Sequence, residues 1–130
     1  MTVLDASAAV ELLLGRERSE ALGRRLLADG ESLHAPALLD VEVVQVVRRF
    51  VRTGEVSPVR GGQAIADLAD LRVHRHRHEP LLDKVWKMRD NVTAYDAAYL
   101  ALAEALRAPL VTCDRRLAGV PRLRAQVEVF

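Results

Sequence analysis

The sequence predicts an α/β fold in which a mainly parallel sheet carries helices on both faces, and three observations predict it. Short apolar runs without a helical period occur at Val3-Leu4, Leu33-His34-Ala35, Pro109 to Thr112 and Val127 to Phe130. One or more helical stretches separate each run from the next, which is the order that gives parallel pairing. No repeat, low-complexity tract or linker divides the chain, and 130 residues, 50% of them hydrophobic, suffice for one ordinary core. A single domain over residues 1–130 is therefore expected.

Nineteen Lys and Arg against eighteen Asp and Glu exclude a uniformly basic nucleic-acid binder, so any such contact must be local. The lone Cys113 excludes an intramolecular disulfide framework and suits a reducing cytoplasm. Asp5 comes too early for a secretory leader, and no apolar run approaches the roughly 18 residues of a membrane span. The expectation is a cytoplasmic protein with no membrane association.

Taken in order, Val3 and Leu4 form the first strand, Asp5 stops it, and Ser7 is the expected N-cap of a helix from Ala8 to Leu14 that Gly15 closes. A second helix covers Ser19 to Leu27, with Leu22 and Leu26 one turn apart. After the strand at Leu33, Pro36 suits the first position of a long helix that runs to Thr53 and ends at Gly54. At 100° per residue, Gln45, Arg48, Arg49 and Arg52 form its solvated arc, opposite Val43, Val44, Val47, Phe50 and Val51. Glu42 falls on the border between the arcs and Asp40 inside the apolar one. Periodicity thus marks Asp40, not Glu42, as the oddly placed acid, although the helix dipole also accounts for Asp40.

Ser57-Pro58 opens a helix that continues to about Leu71 despite Gly61-Gly62. Residues 71–78 then alternate, which places His74, His76 and His78 on one strand face and Arg75 and Arg77 on the other. Three histidines on one strand lack the converging elements a zinc site needs, so a solvent- or partner-facing strand is the favoured reading. Leu81 to Met88 is the next helix, with Leu82, Val85 and Trp86 on one side and Trp86 read as core. Thr93 caps a long Ala-rich helix that carries Asp96 in its first turn and ends at Ala108-Pro109. Pro109 to Thr112 is a buried strand, and Asp114 follows it as Asp5 follows the first. A short helical turn at Arg115 to Leu117 and a last strand at Val127 complete the chain.

Acids beyond the ends of two parallel strands lie in the crevice where α/β sheets bind ligands. Each acid also has a bland explanation: Asp5 as a turn or cap residue, Asp96 and Asp40 as dipole partners. Joined by an acid of the long helix, they would form an oxygen-lined cavity. Two carboxylates about 5 Å apart at an effective dielectric near 20 repel by roughly 3 kcal/mol, so such a cluster must take up protons or a divalent cation. Oxygen donors without Cys or convergent His favour Mg²⁺ or Mn²⁺.

Four motifs in sequence order resemble those of PIN domains, and more narrowly of VapC-type toxins from toxin–antitoxin pairs. They are Val3-Leu4-Asp5-Ala6-Ser7-Ala8, Ala35-Pro36 followed by Glu42, Thr93-Ala94-Tyr95-Asp96 with Ala97 to Ala103, and Leu110-Val111-Thr112-Cys113-Asp114. The resemblance implies a three-layer α/β/α fold and a Mg²⁺- or Mn²⁺-dependent endoribonuclease whose acids are Asp5, Glu42, Asp96 and Asp114. It selects Glu42 over Asp40. It further implies cleavage of single-stranded or looped RNA, inhibition by a cognate antitoxin, and a homodimer. Ser7 and Thr112 stand beside two of these acids, where their hydroxyls could orient a carboxylate; capping and strand propensity account for them equally well. Arg48, Arg49, Arg52, Arg115 and Arg116 are candidates for holding phosphates or meeting an antitoxin.

Two other function classes stay open. A receiver-type phosphoryl-transfer domain would carry an acidic pair in its first turn and a lysine near its last strand, whereas Ala6-Ser7 follow Asp5 and no lysine follows Lys87. A non-catalytic metal- or RNA-binding module would bind metal without cutting RNA.

Overall fold

The computed structural model describes residues 1–130. Its elements are β1 (Thr2–Leu4), α1 (Ala6–Leu13), α2 (Ser19–Leu26), β2 (Leu33–Pro36), α3 (Leu39–Arg52), α4 (Pro58–Asp70), β3 (Val73–His76), α5 (Leu82–Lys87), α6 (Ala94–Leu106), β4 (Leu110–Thr112) and β5 (Val127–Val129). The strands form one sheet in the order β3-β2-β1-β4-β5, and every pairing is parallel. Helices α1 to α4 pack on one another, α5 packs on α6, and α6 lies along β1, β2 and β4. The result is the expected α/β/α layering.

A parallel sheet covered on both faces needs strands that are apolar throughout rather than alternating. Thr2, Val3 and Leu4 are all buried, as are Leu110, Val111 and Thr112, which explains why neither run has a period. Helix α6 is buried at every residue from Ala97 to Ala103, and its alanines allow close approach on several sides. Arg107, in the left-handed region at φ 51°, ends it before Pro109. From β1 the chain builds outward to β2 and β3, then returns to the other side of β1 for β4 and β5. The topological switch point therefore lies between β1 and β4, where an open sheet leaves a crevice at its carboxyl edge.

Several local expectations need correction. Asp5, not Ser7, caps α1, because the chain turns helical immediately after β1 and the Asp5 carboxylate accepts from Ser7 N at 3.4 Å. Pro36 ends β2 instead of opening α3: it is in register with His76, and Ala37 N donates to the His76 carbonyl at 2.8 Å. A proline at a strand end removes no ladder donor that the neighbour needs. Trp86 is 66% exposed, Leu82 56% and Val44 43%, so none of the three is core. Helix α5 has only six residues and turns the Leu81, Val85 and Met88 side inward, leaving Leu82 and Trp86 on the opposite arc.

The histidines pack against β2 and α3. His74 stacks on His34 at 4.7 Å between ring centroids, and His76 Nε2 lies 2.9 Å from His34 Nδ1. His78 Nε2 accepts from Leu38 N at 3.0 Å, beside the start of α3. No group of three or more His, Cys, Asp or Glu side chains stands in ligating geometry. On the other face of β3, Arg75 grips Asp40 through Nε and Nη2 at 2.8 and 2.9 Å.

Candidate active site

Asp5, Glu42, Asp96 and Asp114 line a single cleft together with Ser7, Arg49 and Cys113. Each acid arrives from a different element. Asp5 follows β1, Asp114 follows β4, Glu42 projects from the first turn of α3, and Asp96 lies in the first turn of α6. Asp40, two residues from Glu42, points instead to Arg75 on β3, and Glu42 alone of the two lines the cleft.

Asp5 is 6% exposed and firmly held. Its Oδ2 accepts from Ser7 Oγ at 2.5 Å and from Thr112 Oγ1 at 2.8 Å. Each hydroxyl in turn accepts from the backbone after β4, Ser7 Oγ from Cys113 N and Thr112 Oγ1 from Asp114 N, both at 2.9 Å. With both hydroxyl protons directed at Asp5, the 3.2 Å approach of Ser7 Oγ to Thr112 Oγ1 is a contact between acceptors. This network fixes the relative placement of the two strand ends. It gives Ser7 and Thr112 the orienting geometry considered above.

Asp114 is paired within its own turn. Arg116 donates from Nε to both carboxylate oxygens at 3.0 and 3.1 Å and from Nη2 to Oδ2 at 2.5 Å, and this guanidinium holds the Asp114 carboxyl below the usual range. Asp96 has no such partner. Burial, then the charges of Asp5 and Asp114, raise its pKa against the weaker pull of Thr93, whose Oγ1 accepts from Asp96 N at 3.2 Å. Glu42 is pushed up to about 7, by burial first and then by Asp5 and Asp96.

Glu42 Oε1 and Tyr99 Oη are both buried and neither makes a hydrogen bond. The Tyr99 phenol, raised by burial and by Glu42, lies three residues beyond Asp96 and so on the same side of α6. The sequence alone assigns Tyr99 no role, although that three-residue offset from an acid is visible in it. Of the arginines, Arg49 lines the acid cleft and Arg116 pairs with Asp114 from the neighbouring cavity, whereas Arg48, Arg52 and Arg115 are exposed without lining the cleft.

An all-oxygen donor set, an orphaned carboxylate oxygen and two acids with raised pKa fit a hard divalent cation. As placed, no three of these side chains stand in ligating geometry.

The family model described as the PIN domain matches residues 2–123. The chain is 42% identical over 129 residues to "Ribonuclease VapC12" of Mycobacterium tuberculosis, covering 99% of this chain and 98% of that protein. Among solved structures it is similar to PAE2754 from Pyrobaculum aerophilum, with a TM-score of 0.74 and 25% identity over 98% of this chain and 83% of that one. The fold is also shared with a toxin-antitoxin complex from Klebsiella pneumoniae, with a TM-score of 0.67 and 17% identity over 93% of each chain.

Proposed function

This chain belongs to the PIN-domain family, among the VapC ribonucleases, and we propose that residues 1–130 act as one domain, the toxin of a toxin–antitoxin pair that cuts RNA with Mg²⁺ or Mn²⁺ at Asp5, Glu42, Asp96 and Asp114. One observation carries the metal-dependent reading: four acids from four elements line one cleft beyond the carboxyl ends of β1 and β4. A carboxylate cluster with one arginine attached is poorly suited to a bare phosphodiester, which it would repel. When bound, the cation supplies charge neutralisation of the phosphodiester and lowers the pKa of the attacking water.

The protein's own groups divide the remaining work. Ser7 and Thr112 hold Asp5 in one orientation, and Thr93 fixes the first turn that carries Asp96. Glu42, pushed up to about 7 by burial and by Asp5 and Asp96, is suited to accept a proton from attacking water. Attack at phosphorus with departure of the 3′ oxygen leaves a 5′-phosphate and a 3′-hydroxyl. Arg49 at the cleft wall and Arg116 beside Asp114 are placed to hold neighbouring phosphates.

The cellular role follows from cutting RNA needed for translation: growth stops until an antitoxin binds the protein. No helix is long and apolar enough to cross a membrane. From the likeness to VapC ribonucleases we infer a cytoplasmic protein that pairs as a homodimer. Controlled expression in a bacterial host should arrest growth within a few generations, and the Asp96→Asn variant at equal abundance should not. Arrest that persists in the variant would point to a non-catalytic binding role.

A further inference from the structure

A path of depressions leads away from the acids. Asp96 is shared by the acid cleft and a neighbouring cavity of about 570 Å³, which Arg89, Asn91 and Arg116 also line. A third cavity, about 490 Å³, shares Arg89, Val92 and Thr93 with the second and is walled by Leu82, Val85 and Trp86. The surface thus changes in sequence from acidic to polar, with Arg89 and Arg116 set against Asp90 and Asp96, then to apolar.

At the apolar end Trp86 exposes 66% of itself, and the Arg89 guanidinium lies 4.7 Å from the centroid of its ring. Arg89 Nη1 is tied to the Trp86 carbonyl at 3.0 Å, so the two side chains are held as a unit. The lysines of α5 are neutralised, Lys84 by Glu104 and Lys87 by Asp83. Arg89 makes no ion pair, and it stands at the junction of the second and third cavities.

We propose that the Trp86–Arg89 pocket is a nucleobase subsite, which stacks an unpaired base of the RNA whose scissile phosphate lies at Asp96. This rests on the ribonuclease reading and adds to it where the strand runs. Arg89 covers one face of the indole, so a base stacks on the side of the exposed ring that Arg89 leaves open, while the unpaired guanidinium complements the phosphate between that base and the cleavage site. Because stacking accepts any base, the subsite favours unpaired RNA over a duplex and contributes affinity before it contributes sequence preference. A purely apolar protein partner would leave Arg89 without a counter-charge.

Trp86 is the sole tryptophan, so its fluorescence reports this pocket alone. The test titrates the full chain in EDTA with a random-sequence 12-nucleotide single-stranded RNA and, separately, with inorganic polyphosphate. The RNA is expected to quench Trp86 and polyphosphate is not. By fluorescence anisotropy of labelled RNA, Trp86→Ala should weaken binding about tenfold, with Trp86→Phe recovering most of the loss. Polyphosphate affinity should be the same in all three proteins. RNA cleavage by the wild type without quenching, and with equal RNA affinity in Trp86→Ala, overturns the subsite while leaving the ribonuclease reading intact. Quenching by RNA in a protein that never cleaves leaves the pocket standing and removes the ribonuclease reading. A dimer that becomes monomeric on Trp86→Ala, by sedimentation, would assign the face to a second copy and overturn the proposal.

Discussion

Thr112 Oγ1 donates to Asp5 Oδ2 at 2.8 Å while accepting from Asp114 N, so one buried hydroxyl couples the acids that follow β1 and β4. Thr112→Val keeps the shape and removes both functions of the hydroxyl. Loss of a hydrogen bond to a buried charged group should cost about 1.5–3 kcal/mol in urea denaturation. RNA cleavage should fall about 10- to 100-fold, as when the outer support of a metal ligand is removed. Unchanged stability and cleavage would show that the coupling is incidental.

Glu42 and Asp40 share the first turn of α3 but face different neighbours. Glu42→Gln should remove nearly all cleavage with the fold retained. Asp40→Asn loses only an exposed pair with Arg75, about 0–1 kcal/mol, and should cleave as the wild type does. Purified variants compared on one labelled RNA decide between them; the reverse ranking would move the site to Asp40.

The raised acid makes stability depend on pH. A folded-state pKa of about 7 against an ordinary 4.5 means that the native state binds more protons than the unfolded chain between those values. The stabilising contribution of neutral Glu42 is therefore complete below about pH 4.5 and is lost as pH rises through about 7. Urea midpoints measured in EDTA should fall from pH 5 to pH 8 in the wild type and fall less in Glu42→Gln. Parallel slopes would show that Glu42 is not the group responsible.

The glycine pair of α4 should divide in sign. A Cβ at Gly61 would meet Val51 Cγ2 at 2.8 Å and Val47 Cγ1 at 3.3 Å, whereas Gly62 has nothing within 4 Å. Replacing Gly by Ala in a helix gains up to about 1 kcal/mol, and overpacking costs about 1–3 kcal/mol. Gly62→Ala should thus stabilise and Gly61→Ala should destabilise, because the branched valines of α3 have little room to yield. Thermal denaturation of the two variants is sufficient, and equal shifts would contradict the close seating of α4 on α3.

Much of the site could be read in the chain because strand-end acids are local signals. Asp5 and Asp114 each follow an apolar run with no helical period, and parallel order alone places both at one sheet edge. A helical wheel marks Asp40, not Glu42, as the oddly placed acid, and so points to the wrong member of the pair for the cleft. What separates them is Arg75, 35 residues further along, which takes Asp40 out of contention. Trp86 was misread for a related reason: six residues make too short a helix for a stripe to define its inner face, and Leu81 and Met88 at its ends set the orientation instead. Pro36 showed the limit of positional preference, since pairing of β2 with β3 outweighed its suitability for a helix start. The family resemblance supplied the choice of Glu42, against the periodicity that favoured Asp40.

The central claim is that the four acids form a divalent-metal ribonuclease site. Its most direct test is end-mapped cleavage of total cellular RNA by the purified protein in Mg²⁺ or Mn²⁺, beside EDTA and the Asp96→Asn variant. The account predicts a few discrete cuts bearing 5′-phosphates, absent from both controls. Cuts that survive EDTA and the variant, or no cuts by a metal-bound protein free of antitoxin, would contradict it.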